Sequence, residues 1–191
     1  MRKLVLSMVL SVDGYTNALG GEFVPPAWSA DMDRWTFDMT DRFDTLLYGR
    51  TAWAEMAAYW PAAEIAQDSP EPHRRVARFM NGSRKIVFSR SLQDASAWAN
   101  SSLATAPLAS VVAELRQHTT GKDMVIFAGA KFAQTAMRED LIDEYWLLTI
   151  PKMFGAGARL FENHALRREL SLIEARALDT GAVLTKYGTT V

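Results

Sequence analysis

Apolar positions along the chain fall into two rhythms. Near-continuous runs mark strands buried on both faces, and spacings of three and four mark helices. Lys3 to Leu10 reads Lys-Leu-Val-Leu-Ser-Met-Val-Leu, a first buried strand that Ser11-Val12-Asp13-Gly14 closes in a turn. Gly20-Gly21 and Pro25-Pro26 keep the next stretch irregular. Ser29 predicts an N-cap, with Asp31 in the first turn and Met32, Trp35, Met39 and Phe43 at helical spacing. Asp44 to Tyr48 is a short strand running into Gly49-Arg50-Thr51, and Trp53, Met56 and Ala57 lie on the helix that follows.

Pro61 to Pro72 reads as a polar connection, a surface loop or flap. Arg74 to Met80 predicts a short helix closed by Asn81-Gly82. Arg84 to Arg90 is a strand ending in small and basic residues, and Trp98 to Ala104 a weaker one. Leu108, Val111, Val112 and Leu115 mark an amphipathic helix, with Gly121 in the turn after it. Met124 to Phe161 gives a buried strand, the turn Ala128-Gly129-Ala130, a helix from Lys131 to Arg138, and a second buried strand from Leu141 to Leu148. Pro151 breaks that strand before the tight loop Phe154-Gly155-Ala156-Gly157. Ser171 to Leu178 and Val183 to Thr189 form a hairpin around Asp179-Thr180-Gly181. Strand–helix alternation with a final strand pair predicts an α/β fold, a mostly parallel central sheet flanked by helices with an antiparallel C-terminal edge hairpin.

Composition narrows the function classes. At 191 residues and 49% apolar, the chain suits one domain, 1–191, with a sizeable core. A net charge of −1, from 21 basic and 22 acidic residues, carries no footprint for nucleic acid. No stretch approaches the ~20 apolar residues of a membrane span. With no cysteine, disulfides and thiolate metal sites are excluded, which fits a cytoplasmic protein. His73, His118 and His164 are scattered in polar contexts, so surface roles and no metal site are expected.

The candidate chemistry lies at strand ends. Tyr48 leads to Gly49-Arg50-Thr51, Phe88 to Ser89-Arg90, and Phe127 to Ala128-Gly129-Ala130-Lys131. In an open α/β sheet, ligands bind beyond the carboxyl ends of parallel strands. Helix N-termini, hydroxyls and the two guanidiniums suit a polyanion such as the phosphates of a nucleotide cofactor. Trp28, Trp35, Phe37 and Tyr59-Trp60 are the aromatic candidates for a flat pocket, with Trp35 and Phe37 favoured for the substrate. Asp143-Glu144 begins a strand and is expected to be structural.

Several stretches, in order, carry a family resemblance. They are Ser11-Val12-Asp13-Gly14, Leu47-Tyr48-Gly49-Arg50-Thr51-Ala52-Trp53, Arg84 to Arg90, the Ala128-Gly129 turn, Leu141-Ile142-Asp143-Glu144, and Pro151 with Gly155-Ala156-Gly157 and Leu160-Phe161. Together they resemble the dihydrofolate reductase superfamily, in the branch of the C-terminal reductase domain of bacterial riboflavin-biosynthesis deaminase/reductases (RibD). The resemblance spans nearly the whole chain. It implies an NADPH-dependent oxidoreductase, usually homodimeric, that passes a hydride to a small heterocycle of pteridine or aminopyrimidine type, in the manner of 5-amino-6-(5-phosphoribosylamino)uracil reductase or dihydrofolate reductase. Gly49, Arg50 and Thr51 would hold the adenosine side of NADPH, and Ser89 and Arg90 its 2′-phosphate. Gly129, Ala130, Lys131 and Phe132 would support the pyrophosphate and sugars. Val9 and Leu10 would abut the nicotinamide, with Asp13, Gly14 and Thr16 on the loop across it. Asp33, on the first helix, is the nearest equivalent of a pterin-pocket carboxylate, with Asp31 the alternative.

Two departures stand out. The family turn carries two glycines where this chain has Ala128, which would be strained at positive φ. Tyr15 follows Asp13-Gly14 where the riboflavin enzymes place a basic residue. A non-catalytic homodimeric nucleotide- or ligand-binding module on the same fold is the alternative function.

Overall fold

The computed structural model describes residues 1–162 and 167–190; His164 lies outside them. The chain divides into two compact units, Met1–Arg2 with Asp33–Val125, and Lys3–Met32 with Ile126–Val191.

The first unit is a parallel α/β layer. Helix α1 (Ala30–Arg42) enters it and feeds β2 (Phe43–Gly49), which is followed by α2 (Arg50–Ile65), α3 (Glu71–Gly82), β3 (Arg84–Phe88), β4 (Ser101–Leu103), α4 (Leu108–Gln117) and β5 (Asp123–Ile126). The strands lie in the order β4-β3-β2-β5, each pair parallel. Leu46, Leu47, Tyr48, Val87, Met124 and Val125 are fully buried, as parallel strands covered on both faces require. The predicted stripe of Leu108, Val111, Val112 and Leu115 is the buried face of α4.

Here the expected loop from Pro61 to Pro72 is overturned. Helix α2 runs through Pro61 to Ile65, and α3 begins at Glu71, so the connection is residues 66–70 alone. A proline inside a helix removes one hydrogen bond, but Ala62-Ala63-Glu64 are strong helix formers and carry the helix onward. Pro72 sits in the first turn of α3, where its missing N–H had no partner to lose. Asn81 fastens the two helices, its side-chain amide donating to the Trp60 carbonyl at 3.1 Å and to Glu64. The strand expected over Trp98 to Ala104 is only Ser101–Leu103. Trp98 is instead a buried side chain whose indole N–H donates to Asn81 Oδ1 at 2.7 Å.

The second unit holds β1 (Leu4–Ser11), α5 (Ala130–Arg138), β6 (Glu144–Ile150), β7 (Leu170–Ala177) and β8 (Val183–Thr189). Its strands lie in the order β1-β6-β8-β7. Strands β1 and β6 are parallel, and β8 pairs antiparallel with both β6 and β7. Asp143 and Glu144 are structural, as expected. The Asp143 carboxylate accepts the Leu4 N–H at 2.7 Å, and buried Glu144 is held by Lys3 at 2.6 Å and the Trp146 indole at 3.0 Å. Ser29 caps α1 through the Met32 N–H at 3.3 Å. Asp31 accepts the Asp179 N–H of the β7–β8 turn at 3.1 Å and lies 3.9 Å from Arg176.

Candidate functional site

In the first unit, two of the predicted strand ends are neighbours. Strands β2 and β3 run parallel with Gly49 opposite Phe88, so Gly49-Arg50-Thr51 and Ser89-Arg90 leave the same edge side by side. Gly49 is the N-cap of α2 at φ −78°, an ordinary extended conformation, and no side chain caps the helix. Lacking both a side chain and a cap, this position leaves the first-turn N–H groups accessible. Arg50 is exposed and donates to Ser91 Oγ at 3.2 Å, linking the two turns. Ser89 Oγ accepts the N–H groups of Ser91 and Leu92 at 3.2 and 3.0 Å, so it shapes its own turn, and Arg90 is exposed beside it.

The residues of α1 are less concerted. Asp33 is half-buried, and its carbonyl accepts the Thr36 hydroxyl at 2.8 Å. Trp35 is 6% exposed, with its indole N–H unpaired. Phe37 lies on another side of the helix, since residues two apart point about 200° apart. It is covered by the Arg75 guanidinium at 4.1 Å. Trp35 and Phe37 therefore do not form one wall. Tyr59 and Trp60 pack against His73, which is half-buried and shares a 2.9 Å hydrogen bond with the Tyr59 hydroxyl. His118 is exposed. Among the described residues no group of three or more His, Cys, Asp or Glu could hold a metal.

In the second unit, Val9 is half-buried and Leu10 buried near the carboxyl end of β1. The loop beyond is stitched to residues 152–160. Asp13 accepts the N–H groups of Phe154 at 3.1 Å and Gly155 at 2.7 Å. The Ser11 hydroxyl, with those two N–H groups, holds its carboxyl down to about 2. The Thr16 hydroxyl donates to the Ala158 carbonyl at 3.1 Å, and Asn17 Oδ1 accepts the Ala158 N–H at 2.8 Å. Asp13 and Thr16 thus brace the loop. Gly157, at φ +136°, is obligatory there, because a Cβ would stand 1.9 Å from the Asn17 carbonyl oxygen.

The turn into α5 places its single left-handed residue at Gly129, φ +87°. The only non-glycine residues at positive φ among those described are Asn100 and Asp140. The strain expected at Ala128 is therefore absent, because the turn needs one permissive residue and Gly129 supplies it. Intrahelical bonding from the Gly129 carbonyl begins at the N–H groups of Phe132 and Ala133, both 3.0 Å, which leaves those of Ala130 and Lys131 outside the ladder.

Beside this turn is a cavity of about 380 Å³ bordered by Asn17, Ala130, Lys131, Gln134, Arg159 and Glu162, with Gly20, Gly21 and Gly157 on its rim. Of the sequence-predicted residues it unites Ala130 and Lys131; Gly129, Phe132, Asp13 and Thr16 do not line it. Asn17, Gln134, Arg159 and Glu162 had gone unnoticed. Gln134, buried on an otherwise apolar helix face, was the one visible signal. Arg159 gave none, since its place depends on pairing with Tyr15 across 144 positions.

Comparisons with known proteins agree with this architecture. Over 190 residues, 97% of this chain and 94% of the other, the sequence is 26% identical to the uncharacterized protein YyaP of Bacillus subtilis (strain 168). Among solved structures, a putative riboflavin biosynthesis protein from Shewanella sp. PV-4 is similar at a TM-score of 0.73 and 19% identity, covering 100% of both chains. The dihydrofolate reductase from Enterococcus faecalis complexed with NADP(H) and RAB-propyl is similar at a TM-score of 0.63 and 13% identity, covering 99% of this chain and 97% of that one. At such identities the likeness establishes the fold alone, a dihydrofolate reductase-like α/β fold of reductase type. Residues 2–184 match the model of the RibD C-terminal domain, and the chain belongs to that family.

Proposed function

We propose that the protein is an NADPH-dependent reductase that delivers a hydride to a small heterocycle of pteridine or aminopyrimidine type. The observation that carries the reading is the pair of adjacent parallel strand ends, Gly49-Arg50-Thr51 and Ser89-Arg90, with Arg50 and Arg90 exposed on neighbouring turns. Two guanidiniums beside an uncapped helix N-terminus suit the adenosine 2′-phosphate of NADPH. In the second unit, taken by itself, the left-handed Gly129 and the N–H groups of Ala130 and Lys131 outside the helix ladder suit a phosphate group. When bound, NADPH supplies the hydride chemistry. The chain's own part is to hold the phosphates, brace the loop after β1 through Asp13 and Thr16, and exclude water.

Titration of NADPH and NADH, followed by nucleotide fluorescence, tests this directly. Micromolar binding of NADPH, with NADH at least tenfold weaker and the difference abolished in Arg90→Met, is expected. A folded protein that binds neither nucleotide at high micromolar concentration sinks the proposal.

A second reading, a nucleotide-binding module without chemistry, is favoured by α1. Asp31 is tied to the β7–β8 turn and Asp33 is only half-buried, so neither is a deeply buried carboxylate. If NADPH binds yet no pteridine, pyrimidine or quinone oxidises it, that reading prevails. On either reading we propose a homodimer. One face of β6-β8-β7 presents Leu147, Thr185 and Ala175 in one row and Thr149, Val183 and Ala177 in the next, uncharged and incompletely buried. Val183→Glu should then yield a monomer in analytical ultracentrifugation.

A further inference from the structure

Asn81-Gly82 closes α3, away from every residue assigned to the cofactor. The Asn81 side chain is engaged at both ends. Its amide nitrogen donates to the Trp60 carbonyl at 3.1 Å and to the Glu64 carboxylate, and its Oδ1 accepts the indole N–H of buried Trp98 at 2.7 Å. One side chain thus ties α3 to the last turns of α2 and to the segment between β3 and β4. Gly82, by contrast, is not required by the fold. Its backbone is helical, and a Cβ there would meet no described heavy atom within 4 Å. Alanine would fit and is the better helix former.

Asparagine followed by glycine is the pair most prone to self-modification, because no side chain shields the glycine nitrogen. That nitrogen attacks the asparagine Cγ, an N–Cγ bond forms, and the Cγ–Nδ2 bond breaks. Ammonia leaves with the proton given up by the attacking nitrogen. Water then opens the succinimide ring at either carbonyl, giving an aspartyl or an isoaspartyl linkage.

Here the pair is both primed and sealed. Attack needs negative charge on the Asn81–Gly82 peptide group, and resonance places that charge on the Asn81 carbonyl oxygen. This oxygen accepts from Nζ of Lys85 at 3.0 Å and from Nδ2 of Asn100 at 2.9 Å. Two donors, one of them an ammonium, favour the deprotonated peptide. The seal is conformational. Gly82 is the last residue of α3, so its N–H points into the helical ladder, and the Asn81 amide is held on α2 and Trp98. Both must be released before they can meet.

We infer that Asn81-Gly82 is a self-modification site sealed in the folded chain, and that opening of the α2–α3 junction converts it irreversibly to an aspartyl or isoaspartyl linkage. The product cannot re-form the junction. A carboxylate at position 81 has no N–H for the Trp60 carbonyl, and it would meet the Glu64 carboxylate with like charge. The isoaspartyl form also inserts a methylene into the backbone among the carbonyls of Met80, Asn81 and Ser83 that hold Lys85. A transient opening is thereby recorded in covalent form, whatever the strand ends bind.

The test incubates the full chain near neutral pH, native and in guanidinium chloride. Peptide mapping by mass spectrometry and an isoaspartyl methyl-acceptor assay follow the conversion. In the denatured chain, position 81 should convert faster than every other asparagine. In the native chain it should convert at least tenfold more slowly, because only the open fraction reacts. Glu64→Ala removes one acceptor from the amide, so it should raise the native rate at least threefold and leave the denatured rate unchanged. Gly82→Ala keeps the junction and should slow conversion at least tenfold in both states. Asn81→Asp carries the aspartyl product from the start and should show a lowered denaturant midpoint; failure of that variant to fold would uphold the inference equally. Equal native and denatured rates in the wild type would overturn it, as would no conversion at position 81 in the denatured chain. A wild-type denaturant midpoint in Asn81→Asp would overturn it too, since the junction would then survive its own modification.

Discussion

Gly49-Arg50-Thr51 and Gly129-Ala130-Lys131 look alike in sequence: a glycine after a buried strand, a basic residue, then a helix. In the structure they are different devices. Gly49 has φ −78°, where any residue fits, and Gly129 has φ +87°, where a side chain is strained. At position 49 glycine matters for what can approach the helix end. At position 129 it matters for the turn itself. The same contrast separates their surroundings. The first-unit turns meet through one exposed bond, Arg50 to Ser91, while the second-unit loops are cross-braced by Asp13, Thr16, Asn17 and Gly157. A strand-end motif alone therefore does not say whether its glycine serves conformation or access.

The largest break in this contrast is expected at Gly157. In Gly157→Ala the new methyl would overlap the Asn17 carbonyl, a backbone group that moves only with its loop. A loss of about 2 kcal/mol or more in urea unfolding is expected, by the size of backbone strain and overpacking. Gly155→Ala, at φ +70° but in open space, should cost about half as much. Equal losses would show that conformation, not the close approach, governs the loop.

Next in size is the pair of turns. Gly129→Ala should cost about 1 kcal/mol through its left-handed φ. Gly49→Ser should instead stabilise by a few tenths of a kcal/mol, because serine caps α2 where nothing does now. The same hydroxyl would occupy the first-turn N–H groups, so NADPH affinity should fall as stability rises. Opposite signs at one residue would be hard to explain by packing, and matching signs would refute the access role of Gly49.

The periodic elements were legible in the sequence because local patterning decides them. The buried runs over Lys3 to Leu10 and Asp44 to Tyr48, the α4 stripe and the final hairpin stand where the apolar rhythm put them, while Phe43, read with the first helix, instead opens β2 after α1 ends at Arg42. Pro61 misled because proline is read as a breaker, whereas the alanines after it and Asn81 across from it keep α2 intact. The site divides the same way. Strand-end glycines and arginines announce themselves locally. Arg159 belongs to its cavity only through Tyr15 and Gln134, contacts set by how two distant loops align, and no local pattern encodes that. Trp35 and Phe37 were grouped as neighbours in sequence, yet helical geometry sends them to different sides.

The two units should also respond to pH at opposite ends of the scale. In the first, Lys85 is fully buried, and among the described residues no carboxylate meets its ammonium; Nζ donates to the carbonyls of Met80, Asn81 and Ser83 at 2.6, 3.0 and 2.8 Å, and lies 4.4 Å from the centre of the Trp98 ring. Burial lowers it to about 8, against about 10.4 in an unfolded chain. Between those values the unfolded chain holds more protons, so this group makes stability rise with pH from about 8 to 10.4. Urea midpoints across that window should climb in wild type and stay flatter in Lys85→Met, and parallel curves would remove Lys85 as the cause.

In the second unit the sign reverses, and the effect should be the smallest of the set because Asp13 stands in a partly exposed loop. Its folded value of about 2 lies below the ~3.9 of a free aspartate, so its contribution is fully present above about 4 and disappears as pH falls through 2. The first sign should be local. Hydrogen exchange at the Phe154 and Gly155 amides should accelerate as Asp13 takes up its proton, beyond the intrinsic pH trend of neighbouring loop amides, before any global unfolding. Asp13→Asn has no proton to gain, so that excess should vanish. If instead the excess persists in the variant, the loop is held by its backbone bonds, Val12 to Lys152 and Thr16 to Ala158, and the carboxylate only follows them.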